Sequence, residues 1–202
     1  MNFFNGGEAQ AGKEMERELL GMVKTETKEA ENENTKIIIN KEKVPEFEAA
    51  LINIENRRIQ NPRNPERPFA NFLRTKIIDL LSEEIQDEAE ENLEYYTAIS
   101  KDPNQETGLD KHFGVDAFFK LKLEGREKPI YVTFDITLRP GKSTSKANVV
   151  FSLTDDFPAH ARFEKGQLTG ITESEFHLFD NVTDILAEEI TKQIEKKFRE
   201  EF

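Results

Sequence analysis

The chain of 202 residues predicts an α/β fold, and three observations carry that expectation. Two neighbouring runs, 115–123 and 130–139, alternate apolar and polar side chains at period two, which marks half-buried strands. A third run, Ala147–Leu153, is apolar enough to lie inside a sheet. Runs with apolar residues at helical spacing stand on either side, over Phe69 to about Glu91 and from Glu173 or Asp180 to Phe202. Helix, three strands, loop and helix in that order describe a layered α/β or α+β sandwich.

The N-terminal 35 residues are rich in Glu, Lys, Asn and Thr. A short helix fits Glu14–Val23, but 25–35 holds Ala30 as its one apolar residue. Such a composition does not repay the entropy of ordering, so residues 1–35 read as a poorly ordered acidic arm. Lys36–Asn40 reads as an edge strand, and Val44–Arg58 as a helix with Pro45 in its first turn and a stripe of Phe47, Ala50, Leu51 and Ile54. Pro62, Pro65 and Pro68 then mark a linker. Residues 36–68 are thus an attachment segment, and 69–202 the main domain.

In the helix over 69–91, Phe69, Leu73, Ile77 and Leu80 share a face. At about 100° per residue Glu84 falls roughly 20° from Leu73. It is either the point where the stripe leaves the core or an acid aimed inward, and Glu88 is the next candidate along. Asn92–Ser100 reads as extended, and 101–108 as a loop.

The hairpin is the most informative stretch. Val115, Ala117, Phe119, Leu121 and Leu123 form one face of its first strand, with Asp116 on the other. Ile130, Val132, Phe134, Ile136 and Leu138 share a face of the second, opposite Tyr131, Thr133, Asp135, Thr137 and Arg139. Gly125 and Pro129 punctuate the turn. If the register aligns, Asp116 and Asp135 meet on one face; a slip of one residue separates them. Two carboxylates on adjacent strands suit a hard divalent cation, provided they lie within about 6 Å of each other.

Composition narrows the chemistry. The chain has no cysteine, which excludes disulfides and thiolate metal sites and fits a reducing, cytoplasmic setting. No apolar run reaches the ~18 residues of a membrane span, so no membrane partner is expected. His112, His160 and His177 lack the spacing of a zinc site and the neighbours of a triad hydrolase. Gly141-Lys-Ser143 lacks the upstream glycine of a phosphate loop. The net charge of −12 is unusual for a nucleic-acid binder, although the hairpin region carries Arg126, Lys128, Arg139, Lys142 and Lys146 against Glu127 and Asp135.

The carboxylate pair remains. Gly-Val-Asp116 opening one strand, Val-Thr-Phe-Asp135-Ile-Thr137 on the next, a third strand and a helix resemble the PD-(D/E)XK nuclease superfamily, the restriction-endonuclease-like fold, over about residues 69–200. The resemblance implies a sandwich with a central mixed sheet and a Mg²⁺- or Mn²⁺-dependent nuclease acting on DNA or RNA. It implies Asp116 and Asp135 as metal-ligating acids, the Ile136 carbonyl as a third ligand, and Glu84 as the supporting acid of the first helix. Thr137 falls where the family has its catalytic lysine. Threonine cannot supply that charge, which leaves Arg139, Lys142 or Lys146 to face phosphate, or makes the chain a degenerate relative. The alternative is a non-catalytic acidic module that binds a protein partner or mimics nucleic acid in a basic groove.

Overall fold

The computed structural model describes residues 5–25, 46–102, 105–137, 145–154, 156–164 and 167–200. Arg139, Lys142 and the Lys36–Asn40 run lie outside the described residues. Among these, the chain is α/β: six helices surround an open four-stranded mixed sheet, with a separate two-stranded ribbon.

The helices are α1 (Asn5–Leu20), α2 (Phe47–Asn56), α3 (Pro68–Leu80), α4 (Glu83–Asn92), α5 (Gly108–Phe113) and α6 (Glu173–Glu200). The main sheet runs in the order β1 (Leu93–Thr97), β2 (Ala117–Leu121), β3 (Ile130–Thr137), β4 (Val149–Ser152). The first three strands are antiparallel neighbours, and β4 lies parallel to β3. The ambiguous stretch after Ala159 forms the ribbon β5 (Arg162–Glu164) and β6 (Gln167–Thr169).

Strand alternation divides the interior into two cores, one on each face of the sheet. Ala117, Phe119, Leu121, Ile130, Val132, Phe134 and Ile136 face α3, α4 and α6, with Phe69, Leu73, Ile77, Ile85, Leu186 and Ile190 among their partners. Tyr96 and Phe118 turn the other way, against Ala50, Leu51 and Ile54 of α2 and Leu109 and Phe113 of α5. The second layer is tied down by polar contacts as well. Glu55 of α2 accepts from the Tyr131 hydroxyl at 2.8 Å and from Lys120 at 2.5 Å.

Several expectations need correction. The single helix over 69–91 is two helices, because Leu81 and Ser82 adopt extended backbone with ψ 150° and 151°. Ser82 stands at the N-cap position of α4 without a capping bond from its hydroxyl, and its N–H instead donates to the Glu195 carboxylate at 2.9 Å. The expected N-terminal arm contains α1, and Leu19 and Leu20 at its end are buried in the first core. The Tyr95 hydroxyl donates to Leu20 O at 2.9 Å, and Val23 bridges Ser100. Residues 46–68 are likewise built into the fold. Helix α2 covers a sheet face, and Pro62 O accepts the Tyr95 N–H at 2.8 Å. The short α5, unforeseen in the sequence, is capped by the Thr107 hydroxyl, which accepts from Asp110 N.

Gly114 ends α5 in the left-handed region, at φ 61°. A Cβ there would stand 3.2 Å from Ser145 Cα. Backbone strain and close packing therefore act together. Gly114→Ala is expected to lower stability by about 1–3 kcal/mol, read as a lower urea midpoint with an unchanged slope.

Candidate acid-pair site

Asp116 occupies the residue before β2, in the middle of the sheet. Its carbonyl accepts the Ala98 N–H at 2.7 Å, and its own N–H donates to Phe134 O at 3.0 Å. The backbone is thereby fixed from both sides, by the chain leaving β1 and by β3. Ala117 lies opposite Phe134, and the Asp116 N–H bonds that same residue, so the regular strand pairing ends at Asp116.

The carboxylates are in direct side-chain hydrogen-bond contact. Asp116 is 2 % exposed and Asp135 0 %. Asp116 Oδ2 also accepts the Ile136 N–H at 2.8 Å, completing the edge of β3 at the point where β2 has not yet begun. Ile136 thus brings its amide to the pair, while its side chain belongs to the opposite core. Thr137 follows on the same face as Asp135. It is buried, lies beside Ser152 of β4, and its carbonyl accepts the Leu153 N–H at 2.9 Å.

Burial is the largest influence on Asp116 and pushes its carboxyl well above the usual range. The nearby charges of Glu16 and Asp135 push the same way, and the Ile136 N–H opposes them. Asp116 therefore keeps its proton to higher pH than a free carboxyl, since burial and neighbouring negative charge both disfavour its ionised form.

Glu16 is the acid that sequence reasoning missed. It lies on α1, four residues before Leu20 and three before Leu19, so the face that buries those leucines also carries Glu16 toward the sheet. That spacing was readable, but the surrounding polar stretch hid it. Glu84 goes elsewhere: the break at Leu81–Ser82 resets the helical phase, and Glu84 is exposed in the first turn of α4, whose buried residues are Ile85 and Ala89. Glu88 accepts the Glu124 N–H at 2.6 Å, closing the β2–β3 turn.

Ser145 and Lys146 pack on the end of α5. The Ser145 hydroxyl donates to Gly114 O at 2.7 Å, and Lys146 N–H donates to Phe113 O at 2.8 Å. The Lys146 ammonium stands 5.2 Å from the Phe113 ring centre.

The donor chemistry, hard carboxylate oxygens, fits Mg²⁺ or Mn²⁺. Among the described residues no group of three His, Asp or Glu side chains is arranged to hold a metal. Two contacting carboxylates alone still suit Mg²⁺, which commonly takes one or two carboxylates and keeps several waters. No described helix is long and apolar enough to cross a membrane. Compared with known protein families, with curated proteins and with solved structures, the chain shows no match.

The raised pKa of Asp116 fixes the sign of a pH effect. An acid that holds its proton more tightly when folded contributes stability below its unfolded value of about 4, and that contribution fades as pH rises through the folded value. Asp116→Asn mimics the protonated acid: its amide oxygen accepts from Ile136 N–H, and its amide nitrogen donates to Asp135. In metal-free buffer near pH 7.5 the variant is expected to melt roughly 2–8 °C higher, as about 1–2 kcal/mol gives in a chain of this size. Its stability should also vary less between pH 4 and 8. Melting curves across that range check both points, and a lower melting temperature at every pH would contradict the raised pKa of Asp116.

Proposed function

We propose that the protein is a divalent-metal-dependent phosphodiesterase acting on nucleic acid, with Asp116 and Asp135 as its metal site. The observation that carries this reading is the buried contact between the two carboxylates at the centre of the sheet. A purely structural role does not call for it, because apolar residues of similar size would fill the space without the cost of burying charge. Strongly perturbed acids held by rigid strands are characteristic of sites that do chemistry.

The mixed sheet with β4 parallel to β3, and helices on both faces, supports the likeness to the PD-(D/E)XK superfamily proposed from the sequence. A bound divalent ion supplies an activated water and offsets charge on the phosphate. Asp116 and Asp135 would hold that ion through carboxylate oxygens once Asp116 has lost its proton. The Ile136 amide keeps Asp116 oriented, and Glu16 adds a third negative charge from α1. Since the pair must lose its proton to bind, affinity for the ion rises with pH.

Thr137 favours a second reading. A buried, uncharged side chain where the family has lysine suits a relative that has kept the fold and lost the reaction, binding a protein partner instead.

A cleavage assay separates the two. The protein and Asp135→Ala are incubated with labelled single- and double-stranded DNA and RNA, in Mg²⁺, Mn²⁺ or EDTA. Cleavage that needs metal and vanishes in Asp135→Ala is the expected result. Intact substrates throughout, with no Mn²⁺ uptake by calorimetry at pH 8, would favour the non-catalytic relative.

A further inference from the structure

We propose that the open groove between the α3–α4 break and the C-terminal half of α6 binds a small organic phosphate, at a site separate from the acid pair. The groove has a volume of about 680 Å³, within the roughly 300–1,000 Å³ of small-molecule sites. Leu80 and Ser82 form one wall, and Thr191, Lys192, Lys196 and Arg199 of α6 form the other. Neither Asp116 nor Asp135 lines it.

An unpaired hydroxyl singles this groove out. Thr191 is 7 % exposed, and its Oγ1 is buried without a hydrogen-bond partner among the described residues. On the same helix the Thr183 hydroxyl donates to Phe179 O at 2.9 Å. The backbone bond open to a helical threonine is therefore made at Thr183 and not at Thr191. A buried hydroxyl without a partner costs stability, and valine would fill the same space without that cost. A ligand oxygen in the groove gives the Thr191 hydroxyl the partner that the chain withholds.

Charge indicates the kind of ligand. Lys192, Lys196 and Arg199 stand at i, i+4 and i+7 and share one face of α6. Each meets a carboxylate of its own helix: Lys192 with Glu189 at 2.7 Å, Lys196 with Glu200 at 3.7 Å and Arg199 with Glu195 at 3.0 Å. The three cations are exposed, and exposed pairs of this kind hold weakly. An anion of higher charge than a single carboxylate can draw the cations onto itself, and a phosphate monoester carries about −1.5 to −2 near neutral pH. Ser82 N–H donates to Glu195 Oε1 at 2.9 Å, which fastens the start of α4 to α6 and fixes the spacing of the walls. Leu80, 47 % exposed, offers apolar surface for the body of the ligand. The phosphate end faces the cations and Thr191, and the apolar end lies over Leu80.

The competing role is internal to α6, where basic side chains in the last turns favour the helix dipole and Thr191 is mere packing. Calorimetry at pH 7.5 with phenyl phosphate, inorganic phosphate and phenol separates the two. Phenyl phosphate should bind more tightly than inorganic phosphate, and phenol not at all. Lys196→Met should weaken phenyl phosphate by roughly 10-fold or more, as the loss of a charged hydrogen bond does, and Thr191→Val by about 3–10-fold. Thr191→Ser and a distant control, Lys13→Met, should keep the native affinity. Without ligand, Thr191→Val should melt roughly 2–4 °C above the native protein, because it removes the unpaired hydroxyl. A variant that is more stable yet binds less tightly is the signature of a hydroxyl kept for a ligand. No heat of binding with either phosphate, or an unchanged affinity in Thr191→Val and Lys196→Met, overturns the proposal. So does a Thr191→Val protein that melts lower than the native one, which would make the hydroxyl structural.

Discussion

Two like-charged acids held in contact inside a sheet impose the constraint around which this structure is arranged. Nothing in a strand favours that juxtaposition, so the backbone must enforce it. Asp116 is gripped through both its carbonyl and its N–H, by Ala98 on one side and Phe134 on the other. Its carboxylate then replaces the missing strand partner of Ile136. Removing the side chain therefore exposes an unpaired amide as well as relieving a charge, and these effects oppose each other. The amide isostere isolates the charge because it preserves the hydrogen bond.

The surrounding layers make the burial possible. On one face, α3 and α6 cover Phe119, Val132, Phe134 and Ile136 with Leu73, Ile77, Leu186 and Ile190 among others. On the other, α2 and α5 cover Phe118 and Tyr96, and the polar groups find partners: Glu55 with Tyr131 and Lys120, and Asn148 with Thr133 through reciprocal bonds of 3.0 and 3.1 Å.

How much was legible depended on how local the signal was. Strands β2 and β3, their turn and helix α6 were written in short periodic patterns that each element satisfies by itself. The pairing of Asp116 with Asp135 was legible as a possibility, because parity put both on one face and register alone remained open. Glu84 misled because helical phase was carried across Leu81–Ser82, where the backbone turns extended and a second helix begins. Helix α1 was underestimated for the opposite reason. Its polar composition gives little intrinsic drive to order, and its fixed position comes from two terminal leucines, Tyr95 and a bridge at Val23.

By itself, then, the sequence determined the α/β class and the hairpin, because side-chain alternation is a property of the strand alone. Only the tertiary structure decided that β4 runs parallel to β3, that α1 brings the charge of Glu16 to bear on Asp116, and that Lys146 packs on Phe113 at the end of α5. Each of these joins residues far apart in the chain, and such contacts depend on closing loops and burying faces together, which no local pattern records.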